Sequence, residues 1–184
     1  IAPVSPLGRV RAELLAARAG HPARTASIVA SDLLGPTARP KTSVILATAL
    51  APAAAGHRAW VMGDPDAPHA VTHIPDLSRA MIASVPLAES ADRVLLAPTG
   101  PARSQRRMAE DAARVSGRAP AGVSRIPAAA FAICAPISPT TRELFRQRYL
   151  WEGPSELRPG ALTTGLGIEP TPWDEVLRAS LAAV

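Results

Sequence analysis

The chain of 184 residues has one cysteine, Cys134, and few aromatic side chains, which make up 3% of its residues. A lone cysteine cannot form an internal disulfide, and the Cys-x-x-Cys pair of a zinc module is also missing. We therefore expect a buried, reduced thiol and a cytoplasmic protein. Because the apolar residues are dominated by alanine, each helix is expected to bury a modest area.

The chain also lacks long apolar runs and clustered lysines. No run approaches the ~18 residues that a membrane-spanning helix needs. The net charge is +5, but nineteen of the twenty basic residues are arginines, and they are scattered, with the densest group at Arg103, Arg106 and Arg107. Nucleic-acid surfaces combine clustered basic side chains with stacking aromatics. The composition therefore favours a globular protein that binds neither a membrane nor a nucleic acid.

Several catalytic signatures are absent, including the G-x-S-x-G elbow, the Walker loop and the Gly-rich dinucleotide fingerprint. His69 and His73 have the spacing of two zinc ligands on a helix. Pro68 and Pro75 flank them, however, and the residues between favour an extended chain, in which positions four apart lie roughly 13 Å apart. The sequence therefore argues against a metal site.

Helical and extended patterns alternate along the chain, which is typical of helices packed on a largely parallel sheet. The predicted helices span residues 10–19, 42–55, 76–85, 104–116, 140–150 and 173–183. The predicted strands span residues 25–30, 59–62, 93–97 and 122–126, the first of them buried. Asp76 is predicted to N-cap its helix, and Thr171 to Asp174 has the form of a capping box with proline at the first helical position.

Three segments in order carry a family pattern: residues 29–36 (VASDLLGP), 60–66 (WVMGDPD) and 73–80 (HIPDLSRA). Together they resemble the C-terminal half of the extended short-chain dehydrogenase/reductases, the NAD-dependent epimerase/dehydratase family. The resemblance implies that residues 1–184 form the C-terminal part of a Rossmann-like parallel sheet with a small α/β substrate-binding subdomain. It implies NAD or NADP as cofactor and a small-molecule substrate.

The Gly-rich fingerprint would lie in the other half of such a fold. The chain opens on Ile1, in a proline-rich segment without a signal-peptide pattern. We therefore expect a part of a larger fold, with the missing N-terminal half as its partner. An exposed edge of strand 25–30 would otherwise favour self-association, for example as a homodimer.

The resemblance also places the catalytic pair. The family carries Tyr-x-x-x-Lys followed by Ala-Glu on the same helix, and Ala12-Glu13 puts the tyrosine position at Ser5 and the lysine position at Arg9. An aliphatic hydroxyl is a far weaker acid than a phenol, and arginine supplies charge but no titrating relay. An acid from the missing half, or an alignment shifted by a few residues, would each account for the replacements.

The family pattern Arg-x-x-Asn-x-x-Gly-Pro is matched at Asp32, Gly35 and Pro36, with Val29 in place of the arginine. By resemblance, Ala30 and Ser31 approach the nicotinamide through their backbone, and Asp32 faces the substrate. The alternative is an ordinary Asx-turn that closes a strand.

Asp64 has the same two interpretations, a substrate-cleft residue or a solvated turn residue. Tyr149 and Trp151 are predicted to pack the small subdomain rather than to touch a ligand. Three functions remain open: an NAD(P)-dependent epimerase, dehydratase or reductase, a non-catalytic dinucleotide-binding regulator or truncated inactive homologue, and an unrelated α/β domain.

Overall fold

The computed structural model describes residues 3, 5–89, 93–130 and 138–182, so Cys134 lies outside the described residues. The helices are α1 (Pro6–Ala19), α2 (Ala51–Ala54), α3 (Ile74–Ser84), α4 (Gln105–Val115), α5 (Pro139–Gln147), α6 (Ala161–Thr164) and α7 (Trp173–Leu181). The strands are β1 (Ala26–Val29), β2 (Asp32–Leu34), β3 (Ala59–Val61), β4 (Pro68–His69), β5 (Val71–His73), β6 (Arg93–Leu96), β7 (Arg103–Ser104) and β8 (Val123–Arg125). A π-helix, Leu46–Leu50, leads into α2, and 3-10 turns span Pro86–Glu89 and Arg148–Trp151.

The strands pair mostly in parallel. β1 pairs with β6, β2 with β5 and β3 with β8, all in parallel, whereas the short β4 and β7 are antiparallel. Parallel neighbours need crossover connections, and α3 lies between β1 and β6 in the chain and contacts β1. The structure therefore confirms the predicted α/β class.

The core consists of two clusters of buried apolar side chains. The larger joins the π-helix, α2, β3, α4 and α7 through residues such as Leu46, Leu50, Met62, Met108 and Leu177. The smaller contains Ala80, Leu95 and Leu162, with residues of β1 packed against it. None of the helices in the described residues is long and apolar enough to cross a membrane.

Helix α1 begins four residues earlier than predicted, because Ser5 caps it and Pro6 fits the first turn, where no backbone donor is needed. Strand β1 is half-buried rather than buried. Its exposed Val29 and the exposed Leu14 of α1 leave an apolar surface open on this side of the molecule.

The predicted helix caps at Asp76 and Thr171 are wrong for one shared reason. Helix α3 begins at Ile74 after His73, which places Asp76 in its first turn, and α7 follows Pro172 with no side-chain cap. The buried Asp76 carboxylate instead accepts the backbone N–H of Thr171 at 2.6 Å and its hydroxyl at 2.6 Å. Asp76 and Thr171 thus bind each other although 95 positions separate them in the sequence.

Candidate functional site

Trp151 is the centre of a polar and aromatic cluster that joins the turn after β3 to β4. The side chain ends the 3-10 turn that follows α5 and is 5% exposed. Its ring stacks on His69, with ring centroids 4.1 Å apart and planes 7° from parallel. Its carbonyl accepts the backbone N–H of Asp64 at 2.8 Å. Gly63, with φ +66°, lies directly against this carbonyl, where a Cβ would overlap it. Trp151 therefore joins two distant segments.

His69 connects this cluster to Asp32, the first residue of β2. The imidazole is buried in β4, in the extended conformation predicted for this segment, and its Nε2 donates to the Asp32 Oδ2 carboxylate oxygen. The Asp32 side chain is 42% exposed, so this carboxylate is oriented by His69 and still open to solvent. His69 was not predicted as a partner of Asp32.

Ser31 is fixed by two hydrogen bonds. Its backbone N–H donates to Thr72 Oγ1 at 3.0 Å, and its hydroxyl donates to the carbonyl of Ala70 at 2.6 Å. These bonds set the path of the chain between β1 and β2, immediately before Asp32. Both hydrogen-bond donors of Ser31, its backbone N–H and its side-chain hydroxyl, are thus used within the protein.

Ser5 belongs to the same region. It is 5% exposed, its Oγ accepts the N–H of Gly8 at 3.0 Å, and the Tyr149 hydroxyl donates to the same Oγ at 3.2 Å. Arg9 lies one turn further along α1, exposed, with its N–H donating to the Ser5 carbonyl. The structure therefore brings Ser5 next to Tyr149, two residues before Trp151.

Helix α1 runs back along β1. Near the end of the helix, Arg18 donates to Thr25 Oγ1 at 3.1 Å, just before β1 begins. The start of α1, with Ser5 and Arg9, therefore faces the carboxyl end of β1. A groove of about 420 Å³ separates the two elements, with Leu14 and Leu15 on the helix side and Ser27 to Ala30 on the strand side.

Asp64 lies in an exposed turn. Its Oδ1 accepts the N–H of Asp66 at 2.9 Å, which is an Asx-turn, while its own backbone is tied to Trp151. Arg106 donates two hydrogen bonds to the Asp66 carboxylate, at 2.7 and 2.9 Å, and this hydrogen bonding lowers the pKa of Asp66. The turn is therefore fixed at both ends.

A second cavity, of about 120 Å³, is lined by His69, His73, Arg103 and Trp173. His73 Nδ1 lies 3.2 Å from the Thr171 hydroxyl and 3.3 Å from the Asp76 carboxylate. Because that hydroxyl already donates to Asp76, both neighbours of Nδ1 are acceptors, and Nδ1 carries the ring hydrogen. His73 Nε2 is buried with no partner among the residues the structure describes. Within those residues no three His, Cys, Asp or Glu side chains form a metal-binding group.

A chain of contacts links Asp32 to His69, His69 to Trp151 and Trp151 to Asp64, while Ser5 contacts Tyr149 on the same turn as Trp151. Ser31 directly precedes Asp32 in the sequence. Arg9 and Ala30 make none of these contacts. Three residues that do, His69, Tyr149 and Trp151, were missed as site residues. Tyr149 and Trp151 were expected only to pack the subdomain, since aromatic side chains at helical spacing carry no signal of their distant partners.

No family model matches the chain, and no curated protein matches it in sequence. Solved structures do match in fold. The chain superposes on UDP-glucose 4-epimerase of Thermus thermophilus in complex with NAD, with 14% identity and a TM-score of 0.64, covering 96% of this chain and 51% of that one. RMD from Pseudomonas aeruginosa, complexed with NADPH, gives 16% identity and 0.64, covering 96% and 54%. The human epimerase family protein SDR39U1 with NADPH gives 16% and 0.64, covering 96% and 55%.

The chain spans about half the length of these structures. The likeness confirms the Rossmann-like α/β fold and the expected similarity to one half of the epimerase fold.

Proposed function

We propose that this chain, which has the fold of about half of an NAD(P)-dependent epimerase, is the substrate-binding half of a cytoplasmic epimerase, dehydratase or reductase. Its substrate would be a small molecule with a carbonyl or hydroxyl group, such as a nucleotide sugar. The observation that carries the proposal is the set of contacts around Trp151, which connects Asp64 and, through His69, Asp32, the residue that follows β1 by three positions. Ligands of open parallel sheets bind at the carboxyl ends of the strands.

The residues at the end of β1 fit the nicotinamide end of NAD or NADP. Ala30 has a small side chain that leaves room beside it, Ser31 fixes the adjoining backbone, and Arg9 supplies positive charge from the first turns of α1. When bound, the nicotinamide accepts or delivers a hydride. The sequence has no Gly-rich turn for the pyrophosphate, so the fit covers this end of the cofactor alone.

Asp32 and Asp64 are the proposed substrate ligands. Asp32 is held by His69 yet 42% exposed, so its second oxygen can accept a hydrogen bond from a sugar hydroxyl. Asp64 uses Oδ1 in its Asx-turn, and we assign its other carboxylate oxygen to the substrate. Carboxylates fixed in this way can orient the hydroxyl groups of a substrate.

The open surface of α1 and β1 supports a complementary half as partner. Leu14 is 63% exposed, and Val29 and Leu15 lie beside it along the groove. Apolar patches of this kind mark interfaces. A complementary N-terminal half of the fold is the partner that we propose to cover the patch, and a homodimer is the alternative.

Binding of NADH and NADPH, followed by the fluorescence of the reduced nicotinamide, tests the proposal in the natural protein that contains this chain. Ala30→Leu places a larger side chain where the nicotinamide is proposed to lie and should weaken binding by about tenfold or more, which corresponds to roughly 1.4 kcal/mol. The matched change Ala55→Leu, at the exposed end of α2, should leave affinity unaltered. Equal affinity in both variants, or no binding by the unsubstituted protein, contradicts the assignment.

A non-catalytic dinucleotide-binding regulator or truncated inactive homologue is the second candidate. By the resemblance, Ser5 and Arg9 take the positions of the family's tyrosine and lysine, and these replacements favour it. Such a protein would bind NADH as above, but no sugar nucleotide would change the absorbance of the bound cofactor. Oxidation or reduction of the cofactor by any such compound would exclude the regulator.

A further inference from the structure

The second cavity has walls that are mostly apolar. Its apolar lining residues include Val71, Pro98, Pro101, Met108, Pro170 and Pro172. Proline has a fixed φ and no backbone N–H, so the four prolines make rigid walls with few hydrogen-bond donors. The volume of about 120 Å³ is close to that of an engineered protein cavity that binds benzene, roughly 150 Å³. The cavity can therefore hold one compact apolar group of about that size.

Arg103 brings a positive charge to this apolar cavity. The other side-chain donors of the lining, those of His69, His73, Thr171 and Trp173, are used in hydrogen bonds within the protein. In the part of the chain that the structure describes, no group accepts a hydrogen bond from the Arg103 guanidinium. Its side chain is 34% exposed, and its Cζ lies 5.4 Å from the centroid of the Trp173 ring. The donors of this guanidinium are therefore available to a ligand.

Arg103 also shares its counter-charge with two other arginines. Its ion pair with Asp111 Oδ2 is long, at 3.7 Å. The same carboxylate pairs with Arg114 at 3.3 Å and with Arg107 at 3.5 Å. Each of those two arginines has a second acidic partner, whereas Arg103 has none among the described residues. An anion in the cavity would supply the charge that Arg103 lacks.

Asp76 is the carboxylate that could repel such an anion, since it also lines the cavity. Its charge is already compensated, because Arg79 donates to it at 2.8 Å and Thr171 donates through both its N–H and its hydroxyl. A carboxylate that is paired and hydrogen-bonded in this way exerts a weak field on its surroundings. Asp76 therefore leaves the cavity open to an anion.

We propose that the second cavity binds a small carboxylic acid with one compact apolar group, the carboxylate on the Arg103 guanidinium and the apolar group against the proline walls and Met108. The planar fork of a guanidinium pairs with a carboxylate through two parallel hydrogen bonds. A phosphate has more charged oxygens than one guanidinium can satisfy, and apolar walls leave the others unpaired. The site goes beyond the proposed function and does not depend on the cofactor. It shares His69 with Asp32, so the acid binds beside the residue that orients Asp32.

The first test follows the methionine methyl groups by NMR in the natural protein that contains this chain, labelled at methionine and without added cofactor. Benzoate is the probe, and we expect a Kd of about 1 mM or below, which is reasonable for a ligand of so few atoms. Benzoate should shift the methyl resonance of Met108 and give through-space contacts to it, with the resonance assigned by its loss in Met108→Leu. Met81, which is 56% exposed on α3 and outside the lining, should not shift.

The second test asks whether Arg103 recognises the charge. Benzamide has the shape of benzoate without its charge and should bind at least about tenfold more weakly, because hydrogen bonds between charged groups are stronger. Arg103→Met should remove this difference between the two ligands. Arg107→Met is the matched control, because Arg107 also pairs with Asp111 but does not line the cavity, and it should keep the difference. If Arg103→Met does not fold in thermal melts, the two ligands on the unsubstituted protein decide.

Three results would overturn the proposal. The first is a Met108 methyl resonance that about 10 mM benzoate leaves unchanged, since the Kd would then lie far above the expected value. The second is equal affinity for benzoate and benzamide, or an equal effect of Arg103→Met and Arg107→Met. The third is inorganic phosphate that displaces benzoate from Met108 at an equal or lower concentration, which would contradict the assignment of a carboxylate. Because these titrations contain no cofactor, their failure leaves the proposed function in place.

Discussion

Replacement of Gly63 by alanine should be far more destabilising than a surface substitution. The residue has φ +66°, a conformation that costs an alanine about 1 kcal/mol. The added Cβ would also overlap the Trp151 carbonyl, so Trp151 would have to move. That movement gives up the Asp64 hydrogen bond, about 1 kcal/mol, and the stack on His69, about 1 kcal/mol. The total is about 3 kcal/mol.

Gly117→Ala is the matched control, because Gly117 has φ +65° but nothing within 4 Å of an added Cβ. It should cost only the conformational part, about 1 kcal/mol. Urea denaturation followed by circular dichroism measures both free energies of unfolding, and tryptophan fluorescence reports the displacement of Trp151. If Gly63→Ala is no more destabilising than Gly117→Ala, Trp151 does not pack as described.

Three further predictions concern other parts of the fold. Asp76→Asn should lower the free energy of unfolding, measured by urea denaturation, by about 3–5 kcal/mol, because the buried carboxylate accepts three hydrogen bonds from Thr171 and Arg79. A loss under about 1 kcal/mol would show that the charge of Asp76 is unimportant. Hydrogen bonding to Arg106 lowers the pKa of Asp66, so the stabilisation by this pair is present above the carboxyl's ordinary pKa and is lost as pH falls through the lower folded value. The melting temperature of Asp66→Asn should therefore lie slightly below that of the unsubstituted chain near neutral pH and coincide with it in strong acid. A difference that stays constant with pH would refute the linkage. Leu14→Glu should reduce self-association of the isolated chain in sedimentation, and unchanged association would place the contact elsewhere.

Local pattern was sufficient for the class of the fold. The apolar spacing of residues 42–55 and the Ser104 to Gly117 segment predicted helices close to those observed, the latter as α4 (Gln105–Val115). Short apolar runs predicted β3 and β6. The spacing of apolar residues within one short segment indicates whether that segment is a helix or a strand, so no distant partner is needed for this prediction.

Partners far apart in sequence could not be predicted in this way. Asp76 and Thr171 each have the form of a helix cap, and a cap is the best local use of such a side chain. A buried carboxylate gains more from charge-assisted bonds to a distant segment, so both local predictions fail. His69 and Trp151 were missed for the same reason, since neither has a local partner that signals the stack.

The site prediction depended on the resemblance rather than on pattern. Ser31 and Asp32 were equally compatible with an ordinary turn, and the structure gives Ser31 two structural hydrogen bonds while leaving Asp32 exposed beside His69. The roles of Ser31 in cofactor binding and of Asp32 in substrate binding stay predictions.

The most direct test of the account is calorimetric titration of NAD⁺, NADH, NADP⁺ and NADPH into this chain and into the longest natural protein that contains it. We predict binding of one cofactor pair by the longer protein and weak or no binding by the chain alone, because the proposed site at the end of β1 would hold only the nicotinamide end of the cofactor. Absence of binding in the longer protein would contradict the cofactor assignment and leave an unrelated ligand for this fold.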